Sequence, residues 1–166
     1  MLHGGRSCIN FVSGAIERLV SQGRLAVTGD RLRDPSKAAR GPSPEILEAM
    51  DRLERLLDDF APPPLGEAAR RAGCPPSAVR DLESQGRIVV LDADLAYAAA
   101  AYRALEREAL ALAAAGPLTP AALRDATGTS RKYVMAILED LGRRGVLRRT
   151  PDGHVPGPRA ALEARP

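Results

Sequence analysis

The chain is poor in the residues most enzymes and metal proteins depend on. Among 166 residues there is no Trp, and there are only two Phe, three Tyr, two His and two Cys. Cys8 and Cys74 stand alone, with no CxxC and no Cys/His spacing, which argues against a zinc site or a disulfide framework. No nucleophile–base pair or paired carboxylates emerge, so an enzyme is the least expected class, with no catalytic and no metal-ligating residue to name. A Gly-x-x-x-x-Gly-Lys-Ser/Thr phosphate loop is also absent, which excludes nucleotide binding of that kind. Long apolar runs are missing too. The longest candidate, Leu95–Ala115, is interrupted by Arg103, Glu106, Arg107 and Glu108, and the first residues lack the apolar core of a signal peptide. A soluble, cytoplasmic protein without a membrane partner is expected.

Lysine is scarce as well. Of 24 cations, 22 are Arg, and only Lys37 and Lys132 are Lys. With abundant Ala, this bias is the kind a GC-rich genome imposes, so the Arg excess is not by itself a sign of nucleic-acid binding. The distribution of charge says more than the net value of +3. Residues 1–40 hold seven Lys/Arg against three Asp/Glu, residues 41–115 eight against thirteen, and residues 116–166 nine against five. An acidic middle between two basic ends suggests separate modules with anionic partners at one or both ends.

The abundant residues, Gly and Pro, mark a repeat. The segments Ala15–Val27, Ala78–Val90 and Ile137–Arg148 align on Gly23, Gly86 and Gly145, spaced 63 and 59 residues apart. Apolar residues precede each glycine by seven and four positions: Ile16 and Leu19, Val79 and Leu82, Leu138 and Leu141. That spacing is one face of a helix, and the glycine is where such a helix stops in a left-handed conformation. A short apolar strand and a polar turn follow each time. Helix, glycine, strand, turn and strand make the second half of a winged helix-turn-helix, and a period near 60 fits one domain per repeat.

The pattern predicts a mostly α chain with small β-hairpin wings, arranged as tandem winged helix-turn-helix domains. The expected divisions are a partial winged helix at 1–40, an acidic winged helix at 41–97, a basic one at 98–158 and a tail at 159–166. In the second copy, Ser43-Pro44 starts a helix running to about Phe60; Leu65–Ala72, a Gly73–Pro76 turn and Ser77–Gln85 follow. The third copy opens with a helix near Ala96–Ala115. Thr119-Pro120 then caps a helix to about Ala126, Gly128 turns the chain, and Ser130–Arg144 is the last helix. The first copy lacks its front two helices, so the chain is expected to be part of a longer protein.

In a helix-turn-helix the third helix meets nucleic acid with its N-terminal residues, where free N–H groups also favour phosphate. The third copy presents Thr129, Ser130, Arg131 and Lys132 there, with Arg148 and Arg149 on the wing strand. The second presents Pro75, Pro76, Ser77 and Ala78, with Asp92 and Asp94 on a wing that would repel phosphate. The first offers Ser7, Asn10 and Ser13, with Arg6, Arg24, Arg31 and Arg33 nearby. Cations at a helix N-terminus oppose the dipole by about 0.3–1 kcal/mol each, so Arg131 and Lys132 make better sense with an anionic partner. The third copy is the expected reader and the second a spacer. Tyr133 reads as a residue packed near the turn, Arg143 and Arg144 as cations suited to a helix C-terminus, and His154 as an ordinary wing residue.

Gly128-Thr129-Ser130-Arg131-Lys132-Tyr133, then Ile137-Leu138-Glu139-Asp140, Gly145 and Leu147-Arg148-Arg149, resembles the last winged helix of bacterial selenocysteine-specific translation elongation factors, the SelB family. The tandem arrangement upstream is similar to that family's C-terminal array of four winged helices, of which this chain would hold half of the second, the third and the fourth. The resemblance implies that Ser130, Arg131 and Lys132 meet RNA backbone and loop, with Arg148 and Arg149 acting from the wing. The RNA would be a messenger hairpin, the SECIS element, near an in-frame UGA codon, read through a bulged base and the loop. The family's GTPase and tRNA-binding domains, absent from this chain, would supply GTP as the only cofactor. The implied partners are the messenger RNA hairpin, the ribosome and those domains, with the chain itself monomeric. A winged-helix DNA-binding transcriptional regulator is the main alternative, since the fold does not choose between RNA and DNA. A protein-interaction module docking through the acidic middle domain is a third class.

Overall fold

The computed structural model describes residues 16, 18–28, 31–33 and 42–160, with the backbone alone at 26–28 and 31–33. The chain divides into two compact units, Met1–Ser43 and Pro44–Pro166. In the first, a helical turn ends at Gly23 and a hairpin follows, β1 (Ala26–Thr28) antiparallel to β2 (Arg31–Arg33). Arg6, Ser7, Asn10 and Ser13 lie outside the described residues, as do the side chains of Arg31 and Arg33.

The second unit contains two copies of one plan. Helices α1 (Pro44–Leu57), α2 (Leu65–Ala72) and α3 (Pro76–Ser84) lead into the hairpin of β3 (Ile88–Val90) and β4 (Ala96–Ala98). Helices α4 (Ala99–Ala115), α5 (Pro120–Thr127) and α6 (Arg131–Arg143) lead into β5 (Leu147–Thr150) and β6 (Gly153–Pro156), again antiparallel. This is a mostly helical, winged helix-turn-helix architecture with small wings.

The glycines that align the repeats behave alike. Gly23, Gly86 and Gly145 have φ of +67°, +68° and +72°, a region that costs other residues about 1–2 kcal/mol. Each glycine N–H bonds the carbonyl three residues back: Val20, Glu83 and Gly142, at 3.0, 2.9 and 3.0 Å. The next N–H reaches the carbonyl of Leu19, Leu82 or Leu141, at 2.9, 3.0 and 2.9 Å. The same left-handed closure therefore ends three helices and turns each chain into a wing.

Two apolar cores result. Met50, Leu53, Leu57, Ala68, Cys74, Leu82 and Ile88 are among those filling the first; Tyr102, Leu105, Ala109, Leu118, Leu123, Ile137, Leu138 and Leu141 are among those filling the second. Strand β4 joins them. Ala96 and Ala98 belong to the first core, whereas Leu95 and Tyr97 belong to the second, because successive strand side chains point to opposite faces. The expected division between 97 and 98 thus falls inside a strand buried on both sides. The helix expected from Ala96 starts at Ala99: pairing of Ile88 with Ala98 and Val90 with Ala96 overrides the helical preference of Ala. The helix expected to reach Phe60 ends at Leu57, and Asp59 Oδ1 instead accepts the Ala61 N–H at 2.8 Å just before three consecutive prolines.

Candidate nucleic-acid interface

The candidate site is built on α5, the Gly128 turn, α6 and the β5–β6 wing. Thr119 caps α5, its Oγ1 accepting the Ala122 N–H at 3.2 Å, with Pro120 at the first helical position. The helix closes on Gly128, whose φ is +66°. Helix α6 then begins after Ser130, which holds extended backbone and makes no side-chain capping bond. Its first turn contains no acidic residue, so the exposed N–H groups there face solvent with nothing negative on their own turn.

Ser130, Arg131 and Lys132 are all exposed at this helix start. Among the described residues neither Arg131 nor Lys132 has an ion-pair partner; the Lys132 ammonium lies 5.8 Å from the Tyr133 ring centroid. Several other cations of the unit are committed. Arg87 is bonded to Asp51 at 2.7 Å and to Glu54, and these hydrogen bonds hold its guanidinium above its ordinary pKa. Arg143 pairs with Asp140 at 2.9 Å, and Arg144 with Glu106 at 3.1 Å and the Tyr102 hydroxyl at 2.7 Å. The sequence reading of Arg143 and Arg144 as structural residues of the helix end agrees with these bonds.

Thr129 differs from its neighbours. It is 8% exposed, and its hydroxyl donates to the Phe60 carbonyl at 2.8 Å. Expected among the residues facing RNA, it is instead enclosed between the repeats, where its polar group is satisfied internally. Tyr133 is half-buried, and its hydroxyl donates to the Pro62 carbonyl at 2.9 Å, a packed role in keeping with expectation.

On the wing, Arg148 and Arg149 are both exposed, opposite Val155 and His154 respectively. Alternation along the strand sends them to opposite faces. Arg149 shares the side of buried Leu147 and lines a groove of about 430 Å³ between the wing, the start of α5 and one face of α6. Arg148 points away from that groove. Met135, Leu138, Glu139, Asp152 and His154 also line it and were not singled out as binding residues from the sequence. The spacing of Met135, Leu138 or Glu139, and Gly142 along one helix face was the signal available. The wing is held in place by a two-way bridge: His154 N–H to the Leu118 carbonyl at 2.8 Å, and Leu118 N–H to the His154 carbonyl at 2.7 Å.

Residues 110–155, which span α5, α6 and the wing, match a family model described as "Elongation factor SelB, winged helix". Over that stretch the chain is similar to a SelB winged helix. Among solved structures, the mRNA-binding domain of elongation factor SelB from E. coli in complex with SECIS RNA is similar, with 25% identity and a TM-score of 0.58. The match covers 70% of this chain and 99% of that one. A bacterial selenocysteine-specific elongation factor EF-Sec is also similar at 14% identity and a TM-score of 0.56. This match covers 83% of this chain and 22% of the other, and it supports the fold alone. No curated protein matches the chain. Within the SelB-type region, the exposed cations without ion-pair partners stand at the start of α6 and along the wing. In the preceding repeat the helix start, Pro76 and Ser77 on α3, and the matching wing positions, Val89 and Val90, offer no positive charge, and the wing turn carries Asp92 and Asp94.

Proposed function

We propose that this chain grips a messenger RNA hairpin of the SECIS type and so tethers a selenocysteine-specific elongation factor near an in-frame UGA codon. The supporting observation is the exposed Ser130-Arg131-Lys132 start of α6, with Arg149 exposed on the wing of the same repeat, the one that matches the SelB model. Helix N–H groups and two cations converge there on what an RNA backbone offers, phosphate. The adjacent groove has apolar walls from Met135, Leu138 and Pro120, with polar groups from Arg149, Glu139 and Asp152, a composition suited to an unpaired base. Arg148, on the other face of the wing, reaches backbone beyond the groove. The reading places the chain in the cytoplasm as a monomeric module, working with the ribosome and with GTPase and tRNA-binding domains that supply the GTP chemistry. Acting alone it tethers RNA and catalyses nothing.

The test is a titration of the full chain against a labelled RNA hairpin taken from downstream of a selenocysteine UGA codon, beside a DNA duplex of the same sequence. Tighter binding of the RNA hairpin is expected. Equal or tighter binding of the duplex would favour a transcriptional regulator.

A further inference from the structure

The connector between α1 and α2, residues 58–64, is built as a stiff strap. Pro62, Pro63 and Pro64 have φ restricted by their rings, and Pro62 is buried. Asp59 Oδ1 ties the Ala61 N–H at 2.8 Å, the Pro64 carbonyl accepts the Ala68 N–H at 2.9 Å, and Leu65 N–H donates to the Asp94 carbonyl of the acidic wing at 3.0 Å. The strap belongs to the acidic repeat, yet Phe60 packs against the core of the following one.

Two hydroxyls bind this strap from the far side. Thr129 Oγ1 donates to the Phe60 carbonyl at 2.8 Å, and Tyr133 OH to the Pro62 carbonyl at 2.9 Å. These residues immediately flank Ser130, Arg131 and Lys132, one on each side. The first turn of a helix is the part most prone to fray, since its N–H groups lack intrahelical partners, and Ser130 supplies no side-chain cap. The strap bonds replace that missing restraint from outside the helix, and they fix it relative to the acidic repeat.

We propose that Thr129 and Tyr133 are positioning residues: the proline strap of the acidic repeat holds the start of α6 in its RNA-binding geometry through them. The acidic repeat then contributes to RNA affinity without touching RNA. This inference rests on the RNA-reading role of α6 given above.

The experiment measures RNA-hairpin affinity of the full chain well below its melting temperature, for Thr129→Val, Thr129→Ser and Tyr133→Phe. Thr129→Val keeps the shape and loses the hydroxyl, whereas Thr129→Ser keeps the hydroxyl. Thr129→Val and Tyr133→Phe are each expected to weaken binding about two- to tenfold, the cost of ordering a loosened segment on binding, and Thr129→Ser is expected to bind like the parent. Tyr133→Phe is then repeated in a background carrying Arg131→Ala and Lys132→Ala, where its effect should vanish because the groups it positions are gone. Parent-like affinity for both Thr129→Val and Tyr133→Phe, with the cation substitutions still weakening binding, overturns the positioning role and leaves the RNA reading intact. An undiminished Tyr133→Phe effect without the cations also overturns it. A parent chain that binds no RNA hairpin overturns the RNA reading, and this inference with it.

Discussion

Replacing Arg131 and Lys132 together with Ala should move binding and stability in opposite directions. Both side chains are exposed and have no carboxylate partner among the described residues, so their removal breaks no ion pair. If each neutralises one phosphate, log K falls against log salt with a slope of about −0.7 to −0.9 per contact. At about 0.1 M salt that is roughly 1 kcal/mol per contact relative to 1 M, so losing two weakens RNA binding roughly 25- to 60-fold. The salt slope itself should flatten by about 1.4–1.8. The same substitution removes two cations from the positive end of α6, which favours the fold by about 0.3–1 kcal/mol each, a rise of a few degrees in Tm for a chain of this size. Fluorescence anisotropy at several salt concentrations, with a thermal melt of each variant, reads both effects. Arg70→Ala with Arg80→Ala, two exposed cations of the acidic repeat, serves as the control and should leave the slope unchanged. An unchanged slope for the Arg131/Lys132 variant, or an equal loss from the control pair, would refute the placement of the site.

Other substitutions separate the scaffold from the site. Arg87→Ala removes the bonds to Asp51 and Glu54; partial exposure limits the cost to about 1 kcal/mol in urea melts, with RNA affinity unchanged. Tyr97 OH is buried without a hydrogen-bond partner among the described residues, whereas Tyr102 OH bonds Asp140 and Arg144. Tyr97→Phe should therefore be neutral or stabilising, and Tyr102→Phe should cost about 1–3 kcal/mol in the same melts. Burial, before any charged neighbour, pushes both phenols above their ordinary pKa. The folded state holds their protons longer than the unfolded chain does, so the stability they confer is complete below about pH 10 and declines above it. Changing both to Phe should flatten that alkaline loss in pH-dependent urea melts. Gly153→Ala would place a Cβ 2.7 Å from the Leu118 carbonyl oxygen at a φ of +146°, pushing the wing from its bridge and weakening RNA binding more than Arg70→Ala does in the same titration.

What could be read from the sequence was local. The helix faces and the stopping glycines at 23, 86 and 145 are short-range signals, and the cation pair at 131–132 is visible because it opposes the helix dipole. The burial of Thr129 was not legible, because its partner, the Phe60 carbonyl, lies 69 residues away and a hydroxyl beside two cations looks like a surface group. The strand at Ala96–Ala98 is hidden for a related reason: the two alanines around Tyr97 favour helix and become a strand only once β3 is beside them. The separation of Arg148 from Arg149 follows from strand alternation. The groove that Arg149 lines needed α5, α6 and the wing to be packed together first.

Of two matching scaffolds in residues 44–160, we propose that the second reads RNA and the first supports it. A backbone amide NMR titration of the chain with the RNA hairpin tests this directly. The perturbed amides are expected to cluster at Gly128–Lys132, at Arg148–Thr150 and along the groove face of α6. Perturbations centred instead on Pro75–Ala78 and the Asp92–Asp94 turn would place the RNA on the first scaffold and contradict this assignment.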